Sequence, residues 1–193
     1  MLNKWKNRIE MIASFGAGRV GAEIGVFSGE FTSEIVKNNP KELVLVDAWQ
    51  QLDDDFVYTN LEDQYNLVMS LYGHDERIRI IKDLSLEAVK LFPDEYFDFV
   101  YLDANHAWFS ITNDIYYWWK KVKINGYLCG HDYIHPWITL CTSVVPGQWS
   151  QIDDLPWIHV RPVVNAWVEI NKLELYLTHE DGPLLSWAVR RNQ

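Results

Sequence analysis

Two short blocks hold the residues best able to do chemistry: Asp103 and His106 in DANH, and His131 and Asp132 in GHDY. An imidazole three residues from an acid can take and hold a proton near neutral pH. A divalent ion held by Asp103 and Asp132 would lower the pKa of a bound hydroxyl and orient its oxygen. Each block closes an apolar run. Phe97 to Leu102 is rich in aromatic and β-branched residues, reads as a strand buried on both faces, and stops at Asp103. Tyr127 to Cys129 reads as a second strand that stops at His131-Asp132. Between them Ile111, Ile115, Trp118, Trp119 and Val122 follow a helical period, and Asn125-Gly126 has helix C-terminus chemistry. The stretch is therefore one βαβ unit. In an open α/β sheet, ligands bind outside the carboxyl ends of the strands. The four polar residues are expected to converge there. The bland alternatives are a packing or capping role for His106 and a loop turn at His131-Asp132. A shared sheet edge favours the chemical reading.

Upstream, Val20 to Val26 reads as the first strand and runs into a helix from about Gly29 to Lys37. Gly25 and Gly29 bracket the turn, where glycine admits positive φ and a close ligand. Their Gly-x-x-x-Gly spacing differs from the G-x-G-x-x-G of dinucleotide binders, so alone it also fits a simple tight turn. Leu43 to Val46 reads as a strand ending at Asp47, which lies 22 residues beyond Gly25. An acid at about that distance is placed to accept hydrogen bonds from ribose hydroxyls. Trp49 could cover the ribose or adenine, or belong to the core. Ile78 to Ile81 is a third strand, followed by Lys82-Asp83-Leu84-Ser85. Ser85 reads as the N-cap of a helix over Leu86 to Leu91, and Asp83 as a partner for an adenine amino group.

The rest must frame this edge. Leu2 to Phe15 reads as an amphipathic helix packed on the sheet, with Trp5, Ile9, Ile12 and Ala13 on one face. Leu61 to Tyr72 is a helix ended by Gly73, and Asp53-Asp54-Asp55 is a solvated loop. Tyr133 to Pro162 holds four prolines and Trp137, Trp149 and Trp157, and reads as a substrate lid. Val163 to Asn171 is a helix. Leu173 to Thr178 and Leu184 to Arg190 are strands joined through the turn Glu180-Asp181-Gly182-Pro183. The expected fold is one α/β domain over residues 1–193. It is a doubly wound, Rossmann-like parallel sheet with an antiparallel C-terminal hairpin, an N-terminal helix over 1–18 and a substrate loop over 133–162.

A formal charge of -10 argues against a nucleic-acid partner, because phosphate binding needs a basic surface. No apolar run approaches the roughly 20 residues of a membrane helix. Two cysteines, Cys129 and Cys141, are too few for a disulfide framework, and no secretory leader is visible, so a cytoplasmic location is expected. Ten Trp and ten Tyr, many between Trp108 and Trp167, suggest an aromatic pocket or partner surface. Homo-oligomerisation stays open.

AEIGVFSGEFT, LVLVDAW, FDFVYLDANHAW and GYLCGHDY together resemble the successive motifs of class I S-adenosylmethionine (SAM)-dependent methyltransferases. Within these the chain is most similar to the macrocin-type O-methyltransferases and their small cephalosporin-pathway relatives. The resemblance implies a SAM cofactor and a small-molecule acceptor, with O-methylation of a sugar or natural-product-like hydroxyl. It places Glu23 at the methionine amino group, and Gly25, Val26, Phe27 and Gly29 against the cofactor. It places Asp47 at the ribose hydroxyls, Asp83, Leu84 and Ser85 at adenine, and Asp103 near the methionine end. It also implies His106 as base, Asp103 as a catalytic acid group, and Asp103, His131 and Asp132 around magnesium or another divalent cation. The chain departs from the sugar enzymes at His131, where a carboxylate is usual. An imidazole is a poorer ligand for a hard ion such as magnesium. Three other readings remain: a metal-independent methyltransferase, a nicotinamide-dependent oxidoreductase, and a SAM-binding protein without catalysis.

Overall fold

The structure, a computed structural model, describes residues 2–51, 60–134, 159–182 and 184–192. The acidic run Asp53–Asp55, Cys141, and Trp137, Trp149 and Trp157 of the expected lid lie outside the described residues. Eight strands form one sheet: β1 (Leu2–Trp5), β2 (Val20–Ile24), β3 (Glu42–Asp47), β4 (Ile78–Lys82), β5 (Phe97–Leu102), β6 (Val122–Tyr133), β7 (Leu175–Thr178) and β8 (Leu185–Arg190). Their order is β1-β7-β8-β6-β5-β2-β3-β4. β8 runs antiparallel to both β6 and β7, and the remaining pairs are parallel. The doubly wound sheet with its antiparallel closing pair is the one the strand pattern predicts.

Six helices connect the described strands: α1 (Arg8–Phe15), α2 (Glu30–Lys37), α3 (Leu61–Tyr72), α4 (Ser85–Ala88), α5 (Trp108–Lys121) and α6 (Val160–Asn171). Alternate residues of the central strands supply two cores. On one face Ala22, Ile24, Val44 and Val46 pack with Ile111, Ile115 and Trp118 of α5 and with Val163 and Val164 of α6. On the other, Leu43, Leu45, Phe99 and Tyr101 pack with Met11 and Ile12 of α1, Phe31 and Ile35 of α2 and Val68 of α3. Burial on both faces explains the unbroken apolar runs. The sheet order reverses between β2 and β5, the switch point at which ligands bind in such sheets.

The structure corrects four local expectations. Leu2 to Phe15 is not one helix. Leu2–Trp5 forms an edge strand on β7, and α1 starts only after Asn7, whose side chain accepts from the Glu10 amide. Backbone pairing with β7 overrides the amphipathic pattern, so Trp5 is buried while Ile9 and Ala13 are exposed. Asn125-Gly126 does not end α5, which stops at Lys121. Those residues lie in a bulge of β6, between the pairs Phe97↔Val122 and Phe99↔Tyr127, with Asn125 at φ 69°. Ser85 is the first residue of α4 rather than its cap, because its hydroxyl bonds Asp114 instead. That helix ends at Ala88 and continues as a 3-10 turn, Val89–Leu91. Finally, α6 begins at Val160, not Val163. Pro162 falls in its first turn, where a missing N–H is tolerated.

Candidate active site

The carboxyl ends of β2, β3, β5 and β6 meet at the switch point. Backbone hydrogen bonds stitch them beyond the strands: Gly25 N to Val46 O at 2.8 Å, Asp103 N to Ile24 O at 2.7 Å, and Asp83 N to Asp47 O at 3.0 Å. Gly25 sits at φ 92°, and a Cβ there would stand 2.1 Å from the Asp103 carbonyl oxygen. Only glycine lets the β2 turn pass this close to the end of β5.

Asp47 organises that turn. Its Oδ2 accepts from the amides of Val26 and Phe27, each at 2.8 Å, and its Oδ1 from the Trp49 amide at 2.8 Å. The buried Trp49 indole donates to the Phe27 carbonyl at 2.8 Å, while the Phe27 side chain is exposed. Phe27 and Trp49 both adopt positive φ, so the carboxylate holds two strained residues in place.

Glu23 lies buried below the turn and accepts from the Thr32 hydroxyl at 2.6 Å. Burial pushes its carboxyl up to about 8, although the Thr32 hydrogen bond works the other way. Asp83 and Leu84 are exposed at the end of β4. The Ser85 hydroxyl faces α5 instead: it donates to Asp114 and accepts from the Trp118 indole at 2.8 Å. Burial lifts the Asp114 carboxyl to about 6.

The two sequence blocks converge. His106 Nε2 is 2.9 Å from Asp132 Oδ2 and 3.5 Å from Asp103 Oδ1. His131 Nδ1 is 3.4 Å from Asp132 Oδ1 and 4.0 Å from Asp103 Oδ1. Consecutive residues of a regular strand point to opposite faces, which would separate His131 from Asp132. Here the pairing of β6 with β8 shifts between Gly130 and Tyr133, and Asp132 takes φ 54°. The irregularity puts both side chains beside Asp103. Positive φ in a non-glycine residue is the kind of strain that collects at functional sites.

The electrostatics follow from this crowding. Burial alone would lower the His106 pKa, but the attraction of Asp103 and Asp132 raises it to about 9. Burial alone would raise the Asp132 carboxyl, yet His106 and His131 hold it well below the usual carboxylate range. The contact is close without being well aligned, since the Nε2–H of His106 does not aim squarely at either oxygen. Asp103, His131 and Asp132 each offer one ligand atom, all within 4.8 Å of one another. Ligands bonded at roughly 2.0–2.6 Å to one ion span up to about 5 Å, so this donor set fits a single divalent cation.

Three nearby residues had no place in the sequence reading. Thr32 and Asp114 are polar positions on otherwise apolar helix stripes, a signal the sequence does carry. Arg8 left no such trace. It reaches the site from α1, with its guanidinium over the Phe31 ring at 4.6 Å and Nη1 3.8 Å from Asp103 Oδ2.

Among the described residues no helix is long and apolar enough to cross a membrane. None of the curated proteins matches the chain in sequence. Solved structures share its fold at low identity. An O-methyltransferase from Bacillus cereus in complex with SAH is 13% identical, with a TM-score of 0.63 over 95% of this chain and 78% of that one. A SAM-dependent methyltransferase from Mesorhizobium loti is 10% identical, with a TM-score of 0.63 over 95% of both chains. The N-methyltransferase NodS from Bradyrhizobium japonicum is 14% identical, with a TM-score of 0.59 over 96% of this chain and 93% of that one. A family model described as a methyltransferase domain matches residues 22–133, which takes in the glycine turn, Asp47 and both site blocks. The chain belongs to this methyltransferase-domain family.

Proposed function

We propose that the protein methylates a hydroxyl of a small molecule, taking the methyl group from SAM and using a divalent cation held by Asp103, His131 and Asp132. The observation that carries this reading is the cluster of two carboxylates and an imidazole at the switch point, with a second imidazole against it. SAM supplies a methyl group on a sulfonium, which an oxygen displaces in line. The residues of the turn suit its adenosyl part. Asp47 Oδ1 accepts one backbone hydrogen bond, against two at Oδ2, and so keeps acceptor capacity for a ribose hydroxyl. Asp103 suits an ammonium group as an anion and Glu23, buried and neutral at pH 7, only as a hydrogen-bond acceptor, while the exposed Asp83 and Leu84 suit adenine.

A divalent ion at the cluster would lower the pKa of an acceptor hydroxyl. The nitrogen donor of His131 favours manganese, cobalt or zinc over magnesium. His106 is charged at neutral pH without an ion, and becomes a base once a bound cation offsets the charge of Asp103 and Asp132; Nδ1 then takes the proton, because Nε2 faces Asp132. Asp132 Oδ2, 2.9 Å from Nε2, orients that ring and stabilises the imidazolium that proton transfer produces. Much of the acceleration comes from holding two substrates in line.

A metal-independent transferase is the second reading. The His106–Asp132 pair favours it, because an imidazole and its orienting acid stand together without an ion; with a pKa of about 9, that imidazole acts as a base only in alkaline buffer. One experiment separates the two: transfer of labelled methyl from SAM to a panel of hydroxyl acceptors, with and without excess chelator. Loss of transfer with chelator, restored by manganese, supports the metal reading. Full transfer in chelator supports the second. His106→Ala should lower turnover by roughly 10²–10⁴-fold under either. No transfer to any hydroxyl, with transfer to amines instead, would overturn O-methylation.

A further inference from the structure

Arg8 lies on α1, far in sequence from every block that marks the site. Its backbone is fixed twice. The Arg8 amide donates to Asp181 Oδ1 at 3.0 Å, and the neighbouring Lys6 carbonyl accepts from the amides of His179 and Glu180. The loop after β7 therefore sets where α1 begins. The guanidinium stacks on Phe31 of α2 and leans toward Asp103 of β5. Its contacts there are loose. Nη1 stands 3.8 Å from Asp103 Oδ2, beyond hydrogen-bond length, and the buried Tyr101 hydroxyl that it approaches has no aligned partner. Among the described residues, Arg8 is the one arginine or lysine paired with Asp103.

An amino acid carries its ammonium and its carboxylate on one carbon. A receptor for the carboxylate must therefore stand beside the receptor for the ammonium. Asp103 provides the anion at the end of β5, with the buried Glu23 behind it on the adjacent β2, and Arg8 provides a planar, permanently charged fork next to Asp103. Its stacking on Phe31 holds that fork in place and leaves N–H groups for a ligand.

We propose that Arg8 binds the α-carboxylate at the amino-acid end of the cofactor, while Asp103 takes the α-ammonium. This rests on the SAM reading above. Arg8 selects for the intact amino acid and so discriminates against cofactor fragments that lack the carboxylate.

Calorimetry with two ligands tests it. One is S-adenosylhomocysteine. The other is its decarboxylated form, the 3-aminopropyl thioether of adenosine, which keeps the ammonium. The wild-type chain should prefer the first by roughly 10–100-fold, the range of a charge-assisted contact. Arg8→Gln should remove that preference by weakening S-adenosylhomocysteine alone, with the amine held within about threefold. Arg8→Lys should restore part of the preference, which also guards against a merely misfolded variant. Equal weakening of both ligands in Arg8→Gln would overturn the proposal, since Arg8 would then act only by steadying Asp103. Unchanged binding of both would overturn it as well. A wild-type chain that binds neither ligand overturns the SAM reading, and this inference with it.

Discussion

Glu23 is a carboxyl group with nowhere to put a charge. It is buried on β2, and among the described residues its hydrogen bond comes from the Thr32 hydroxyl. Its pKa in the folded chain is about 8, against an ordinary value of 4.5. The group therefore stabilises the fold fully below pH 4.5, and loses that contribution as pH rises toward 8. The whole shift corresponds to at most about 5 kcal/mol, and relaxation around the site reduces it. Glu23→Gln carries no titrating group here. Its stability relative to wild type should improve by roughly 1–3 kcal/mol between pH 5 and pH 8, read as a widening gap in unfolding midpoints. A gap that stays flat across that range would mean the carboxyl is not buried as described. Asp47, Asp103 and Asp132 could be found by position, because each follows an apolar run and such a run is visible in one dimension, although Asp132 lies inside β6 rather than at its end. Glu23 and Thr32 are harder to find, since each is a polar residue inside an apolar pattern. Arg8 cannot be found that way, because its place depends on the loop after β7, more than 170 residues away in sequence.

At the scale of elements, the turn after β2 and the end of β5 form one unit. Gly25 is the contact between them. Gly25→Ala puts a Cβ 2.1 Å from the Asp103 carbonyl oxygen and forces a side chain onto φ 92°. Two separate penalties apply, steric and conformational, so the variant should lose roughly 2–4 kcal/mol of stability. It should also weaken S-adenosylhomocysteine binding, because Asp103 and the turn move together. Wild-type stability and affinity in Gly25→Ala would show that the two ends are independent. The strands themselves were legible, since β2, β3 and β5 are uninterrupted apolar runs and burial on two faces demands that. β1 was not. Trp5 and Ile12 suit a helical stripe, and only pairing with β7, a strand at the other end of the chain, makes Leu2–Trp5 extended. The bulge at Asp132 was equally hidden. No local residue marks it, yet without it His131 and Asp132 would face opposite sides of the sheet.

For the molecule as a whole, alternating strands and helices determine the sheet order, and the order determines where it reverses. The proposed chemistry depends on two neighbours of β5: its pairing with β6 brings Asp103 together with His131 and Asp132, and the reversal on its other side, at β2, opens the crevice for a cofactor. The most direct measurement is a manganese titration of the whole chain, followed by electron paramagnetic resonance of the free ion. One manganese per chain should bind. Binding should fall at least tenfold in both Asp103→Asn and Asp132→Asn, since each amide keeps the shape and loses the charge. His106→Ala should retain the ion, because His106 lies against the cluster without being one of its three ligands. A wild-type chain that binds no manganese, or one whose binding survives both Asn substitutions, would contradict a metal-assisted transfer at this site.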